Sequence, residues 1–308
     1  MAMLTPQVPC VCIVIPTWNL CDPLLECLHS LTALDYSHYQ VVVVDNASTD
    51  GTGEAVENVF PDVHIITNDA NRGYAGGLNV GIRYALENSA DYVLALNNDT
   101  IVEPTFLNRL VQVAESDGRV GIVSPKVLDE SDRRRIQFSL GERVYGWSPV
   151  PLSIGHRKPD GPQYSGRMEF DYVSGCAILI KRRVFEEIGL FDTSFFMYYE
   201  DADFCRRARD RGYRILCVGD AIIWHKATLS GRQDLTASRR VRARSKVKFY
   251  RRYRHGPHPV LTYLYLVMSA LVTVSSDLVA GRGSLVMPYL RGWWEGWQVR
   301  DLHQITFE

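Results

Sequence analysis

The stretch Tyr92-Val93-Leu94-Ala95-Leu96-Asn97-Asn98-Asp99 decides how this chain is read. Five apolar residues in an unbroken run suit a strand buried on both faces, and the run ends in two amides and a carboxylate. The same arrangement occurs twice upstream. Residues 11–15 form a β-branched apolar run followed by Thr17-Trp18-Asn19, and residues 41–44 form another followed by Asp45-Asn46-Ala47-Ser48. Between them lie helical spacings: Leu24, Leu28, Leu31 and Leu34 after an Asp22-Pro23 start, then 52–59, then Leu78, Ile82, Ala85 and Leu86. Residues 63–66 complete the set as a third strand. Strands alternating with helices at short intervals predict an α/β fold, a mainly parallel twisted sheet flanked by helices. Ligands of such sheets bind beyond the carboxyl ends of the strands, where the three polar clusters fall.

Downstream the pattern loosens. From 122 to 171 charged and Pro/Gly-rich stretches, notably 129–135 and 156–166, predict loops and a mobile lid. Regularity returns with an apolar strand at 172–180, interrupted by Ser174-Gly175, with helices at 182–188 and 204–211, and with strands at 215–218 and 221–224. The reading gives a catalytic-type domain over 8–230, divided into halves 8–99 and 100–230, and a helical extension over 231–308. In that extension Arg240, Arg244, Lys248 and Arg252 recur every four residues along one side of a helix. An uncharged apolar stretch, 260–276, follows, and then Trp293, Trp294 and Trp297. A basic face, an apolar segment and interfacial indoles predict association with an anionic membrane surface; the competing reading is a soluble helical extension.

A net charge of −1 argues against a general nucleic-acid binder. The seven cysteines are odd in number, lack a CxxC pair and mostly sit in apolar runs. They read as reduced core residues of a cytosolic protein, and residues 1–12 show no secretory signal.

Each polar cluster has a chemical and a structural reading. Asp45 accepts hydrogen bonds from a nucleobase or ribose, or it forms the turn after its strand. The segment Asn71-Arg72-Gly73-Tyr74-Ala75-Gly76-Gly77-Leu78-Asn79 joins a glycine-rich turn to a helix, which suits phosphate, but it is not GxGxxG and disfavours a dinucleotide fold. Asp99 stands where a cation bridges two phosphates, or ends a simple polar turn. Glu200 and Asp201, after the aromatic run 195–199, suit a general base with a raised pKa, against a helix start enriched in acids, the role that fits Asp203. His225 follows an apolar strand and would supply nitrogen to a site with one strong carboxylate.

The succession 15–19, 44–51, 71–79, 97–99, Tyr199-Glu200-Asp201 and 225–230 resembles glycosyltransferase family two, and within it the rhamnosyltransferase-type members. The resemblance covers about three quarters of the chain. It implies a GT-A fold, transfer with inversion, and a divalent cofactor, Mg²⁺ or Mn²⁺. By position Pro16, Thr17, Asn19, Asp45, Asn71, Gly73 and Asn79 match the family's nucleotide-binding residues, with Asn98 beside them. Asn97 to Asp99 match its Asp-X-Asp motif, Asn97 being a departure that bears on metal affinity. Asp99 and His225 are the implied metal ligands and Asp201 the implied base, with Glu200 next in line. Ser174, Gly175 and Cys176 match a segment lining the acceptor side. The implied donor is dTDP-rhamnose first and a UDP-hexose second. The implied acceptor is a glycan or a polyprenyl-diphosphate-linked glycan at the inner face of the cell membrane. The rival readings are a non-catalytic nucleotide-sugar-binding protein and a sugar nucleotidyltransferase, whose lysine-containing glycine-rich loop is not present at 16–19.

Overall fold

The computed structural model describes residues 8–144, 148, 150–226, 234–253 and 259–300, with 302, 305 and 307. The apolar runs become strands β1 (Val11–Thr17), β2 (Tyr39–Asp45), β3 (His64–Thr67) and β4 (Tyr92–Leu96). They alternate with helices α1 (Cys21–Leu31), α2 (Thr52–Val59) and α3 (Gly73–Glu87). The chain continues through β5 (Thr100–Val102), α4 (Phe106–Glu115), β6 (Val120–Asp129), the hairpin β7 (Gly141–Arg143) and β8 (Leu152–Ile154), and β9 (Arg167–Phe170). Then come β10 (Ala177–Lys181), α5 (Arg182–Ile188), α6 (Glu200–Asp210) and β11 (Arg214–His225). Three helices follow: α7 (Leu235–Tyr253), α8 (Pro259–Val279) and α9 (Val286–Gln298).

The main sheet runs β3-β2-β1-β4-β10-β6-β11-β5, with β9 on β11. Its first half is parallel, as the alternation predicts. The second half is mixed, because β10 enters antiparallel between β4 and β6 while β11 runs parallel to β6. Alternate side chains of β1 divide between two cores: Cys12 and Val14 join one face, Val11, Ile13 and Ile15 the other. Burial on both faces is why these strands read as unbroken apolar runs.

Several expectations are corrected. Asp22 is not the N-cap of α1; the helix begins at Cys21, and Asp22 sits in its first turn, where the helix dipole favours its charge. The strand predicted at 63–66 is a half-exposed edge. The glycine-rich segment is helix from Gly73 onward, and Gly81 further along α3 serves packing: a Cβ there would lie 2.3 Å from Val14 Cγ1. Residues 120–129 are a ten-residue buried strand, not part of a loose lid. Ser124 and Lys126 hid it, since both are buried polar residues, and Lys126 is neutralised by Asp160 at 2.8 Å. The strand expected over 172–180 starts only at Ala177, α6 starts at Glu200, and 214–225 is one strand with a register shift between Val218 and Ile222. All seven cysteines are free, and all but Cys10 and Cys21 are buried. Of the sequence readings, residues 1–7, 227–230 and 254–258 lie outside the described residues.

The basic stripe of α7 is largely internal. Arg240 pairs with Glu295, while Lys248 and Arg252 are buried against Asp192 and Asp203. Val247, Phe249 and Tyr250 of the same helix join the core cluster that contains α3 and α6.

Candidate active site

The carboxyl ends of β1 and β4 are adjacent in the sheet, so the residues after them meet. Asn98 Nδ2 donates to Thr17 Oγ1 at 2.8 Å. Together with Pro16, Asn71 and Gly73 they line a cavity of about 680 Å³ that Ser174, Gly175, Cys176, Glu200, Asp201 and His225 also line. Gly73 has φ +72°, and a Cβ there would sit 2.5 Å from the Phe196 carbonyl oxygen, so glycine is required twice over.

Three residues expected at the nucleotide do not reach the cavity wall. Asp45 accepts the Ser48 N–H at 2.9 Å and so shapes the turn after β2. Asn19, at φ 51°, accepts the Thr49 N–H at 2.7 Å and binds the β1 loop to that turn. Asn79 is fully buried, its amide donating to Phe191 O at 2.8 Å and accepting from Phe191 N at 3.0 Å. It clamps α3 to the chain ahead of α6, a core role in place of the expected nucleotide contact. Asn46, not singled out from sequence, does line the cavity. Its amide donates to Gly73 O at 3.2 Å and accepts from Asn68 at 2.8 Å.

Asp201 sits in the first turn of α6, and its two oxygens accept the backbone N–H groups of Gly175 and Ala202, each at 2.8 Å. Burial pushes its carboxyl above the ordinary range, against the pull of those N–H groups. Glu200 is pushed up much further by burial and by the charge of Asp201, and its buried Oε2 has no hydrogen-bond partner among the described residues. The two N–H donors on Asp201, against an unpartnered Oε2 on Glu200, favour the charged form of Asp201. The approach to α6 is strained: Phe196, Tyr198 and Tyr199 all have positive φ, at 61°, 66° and 70°. Such residues cost about 1–3 kcal/mol each and persist where surrounding structure holds them. Here Ser245 of α7 donates to Phe195 O at 3.1 Å and Met197 O at 3.0 Å.

His225 and Asp99 are both buried, with Nε2 and Oδ1 3.0 Å apart. Gln137 fixes the tautomer. Its Nε2 donates to His225 O at 3.1 Å, so its Oε1, 2.7 Å from Nδ1, must accept the imidazole hydrogen. Nε2 faces Asp99 Oδ1 at 3.0 Å and Asn97 Nδ2 at 3.4 Å, and its separation from the carboxylate is one that a proton or a cation bridges. One nitrogen and one oxygen donor fit a divalent ion. No cluster of three or more His, Cys, Asp or Glu suited to a metal occurs among the described residues, so further oxygens would come from a substrate diphosphate and water. Gln137 escaped the sequence reading because it belongs to no spacing pattern, and Tyr74, whose hydroxyl donates to Gly175 O at 2.9 Å, was given no role within its glycine-rich segment.

A family model described as glycosyl transferase family 2 matches residues 12–189. The chain is 33% identical over 177 residues to the low-salt glycan biosynthesis hexosyltransferase Agl10 of Haloferax volcanii, covering 57% of this chain and 55% of that one. It is 29% identical over 224 residues to N-acetylglucosaminyl-diphospho-decaprenol L-rhamnosyltransferase of Mycobacterium tuberculosis, covering 67% of this chain and 72% of that one. Among solved structures it is similar to the mannosyltransferase PcManGT of Pyrobaculum calidifontis in complex with GDP-Man and Mn²⁺, with a TM-score of 0.59, 23% identity and coverage of 94% and 85%. The last likeness bears on the fold, which is of the expected GT-A kind.

Proposed function

The chain belongs to glycosyl transferase family 2 and is a glycosyltransferase, and on that premise we propose that it transfers a hexosyl or deoxyhexosyl group, with inversion, from a nucleotide diphosphate sugar to a hydroxyl of a glycan or lipid-linked glycan. The observation that carries this reading is that Asp201 and His225 line one cavity, with the buried Asp99 carboxylate 3.0 Å behind His225 Nε2. Pro16, Thr17, Asn71, Gly73 and Asn98 hold the nucleotide half of the donor. A divalent ion, Mg²⁺ or Mn²⁺, held by Asp99 and His225 supplies charge neutralisation at the diphosphate leaving group. Asp201 accepts the proton of the acceptor hydroxyl as its oxygen attacks the anomeric carbon from the face opposite the leaving group. The names of the Haloferax and mycobacterial relatives support a hexose or rhamnose, with dTDP-rhamnose the first donor and a UDP-hexose the second. The exposed apolar side of α8 supports work at the inner face of the cell membrane.

The test is nucleotide release from a panel of nucleotide sugars, with Mg²⁺ or Mn²⁺ and with EDTA, in wild type and Asp201→Asn. Positioned bases contribute about 10²–10⁴-fold, so the variant should lose that much turnover while still binding nucleotide. Near-normal turnover in Asp201→Asn would remove it as the base. Donor binding that never leads to transfer, with membrane extract added as acceptor source, would favour a nucleotide-sugar-binding role.

A further inference from the structure

Beyond Asp201 the cavity runs to a wall contributed by α7 and α8, where Ser238, Val241, Arg242 and Tyr265 line it. Five of the eight cations of α7 are consumed by the fold: Arg239 by Asp277, Arg240 by Glu295, Lys248 by Asp192, Arg252 by Asp192 and Asp203, and Arg251 by the carbonyls of Gly296, Trp297 and Val299. Arg242 and Lys246 are placed differently. The Arg242 guanidinium lies 4.4 Å over the Tyr198 ring, and the Lys246 ammonium 4.7 Å over the Tyr265 ring. Both rings line the cavity, and no carboxylate among the described residues pairs with either cation. A cation held by an aromatic face keeps its N–H donors for another anion. The four-residue spacing puts both on one side of α7.

Tyr265 leads from this wall onto α8. Leu261, Leu264, Met268 and Leu271 follow one side of that helix and are 38%, 55%, 57% and 57% exposed. The most apolar window of α8 is 11% buried, too little for a core helix. Arg242 on the cavity wall and Lys246 one turn on, over the Tyr265 ring, together with an open apolar helix side, match one ligand chemistry, a phosphate ester of an aliphatic chain.

We propose that Arg242 and Lys246 form the subsite for the phosphate or diphosphate of the acceptor, whose hydrocarbon chain lies along the exposed side of α8. The inference rests on the transferase reading and specifies what its second substrate carries. The phosphate could belong to an acceptor or to a bilayer headgroup; the cavity position of Arg242 favours the acceptor.

Citronellyl diphosphate is the probe, titrated into the full chain with UDP and Mn²⁺ present. Because a hydrogen bond to a charged group contributes about 1.5–3 kcal/mol, Arg242→Gln should weaken binding about tenfold or more, with partial recovery in Arg242→Lys. Lys246→Gln should act in the same direction. Leu264→Ser with Met268→Ser should weaken the citronellyl ester and leave inorganic pyrophosphate unchanged. Equal affinity of wild type and Arg242→Gln for the ester would overturn the proposal. Pyrophosphate binding as tightly as the ester would overturn the hydrocarbon part. Arg242-dependent binding to phosphatidylglycerol vesicles without binding of the ester would reassign the cations to headgroups and overturn it too. UDP affinity with and without Mn²⁺, measured on the same samples, separates the two readings: its loss with ester binding intact counts against the donor site alone.

Discussion

A single hydrogen atom at Gly175 keeps Asp201 where it is, since a Cβ there would lie 3.0 Å from Asp201 Cβ and 3.2 Å from its Oδ2. Gly175→Ala should therefore lower kcat while leaving nucleotide affinity in place; unchanged kcat would show that the carboxylate tolerates displacement. The direction of the Asp201 shift fixes a pH dependence as well. Its carboxyl is raised by burial, so the base is lost as pH falls through a value above the ordinary carboxylate range. The acid limb of kcat against pH should sit above that range. For stability the sign is opposite, because a raised carboxyl favours the protonated folded state and its penalty at neutral pH is relieved as pH falls. Gln137 acts one step further out. Gln137→Leu should weaken the Mn²⁺ dependence of nucleotide binding about 10–100-fold, the usual cost of losing the partner that orients a ligating histidine. An unchanged Mn²⁺ titration would show that His225 is oriented without it. These residues also mark what was legible at this scale. Asp99, Asp201 and His225 stood out because charged groups ending apolar runs are conspicuous. Gln137 was not legible, since one amide in an irregular stretch has no pattern to announce it. Asn79 was misread because helix interior and phosphate turn share the same glycine-rich letters.

Among the elements, α3 shows most clearly how composition misleads about geometry. Its first glycines, 73, 76 and 77, read as a phosphate turn, while Gly81 lets the helix press onto β1 and β2, with Val14 Cγ1 and Val44 Cγ2 at 2.3 Å and 3.0 Å from a Cβ there. Overpacking of a tight core costs about 1–3 kcal/mol, and the better helix propensity of alanine returns at most about 1 kcal/mol. Gly81→Ala should thus be destabilising by urea denaturation. Gly118→Ala, with nothing within 4 Å, should be silent. A stabilised Gly81→Ala would mean that α3 can shift on the sheet. The parallel strands were legible for the opposite reason, since apolar side chains on both faces leave one unbroken signal. β6 carries the same burial with a lysine and a serine inside it, and only its tertiary partner Asp160 makes that lysine intelligible.

For the whole molecule, the change of composition near residue 231 is not a change of packing. α7 carries Ser245 to the strained approach to α6 and sends Lys248 and Arg252 into a buried group with Asp192 and Asp203. Sequence showed the basic periodicity but not its direction, because acids at 192 and 203 lie far from 248 and 252 along the chain. Asp203 accepts from Arg207, Arg252 and Tyr253, so Asp203→Asn leaves Arg207 without its carboxylate and Arg252 with Asp192 alone. Breaking a buried pair in this way typically costs about 3–5 kcal/mol. Lys248→Met should cost far less, because Arg252 still neutralises Asp192 and an ammonium no longer has to be buried. The lysine also leaves a pH signature. Burial lowers it from 10.5 to about 8, so between those values the unfolded chain binds a proton that the folded one does not. Stability from this group must rise with pH between about 8 and 10.5 and be level below that window, where both states hold the proton. Denaturation of wild type and Lys248→Met at pH 7.5 and pH 9.5, values chosen about either side of the folded transition, should show wild type gaining on the variant at the higher pH. A constant difference would mean that Lys248 stays charged across the range, held by Asp192 and not penalised by its burial.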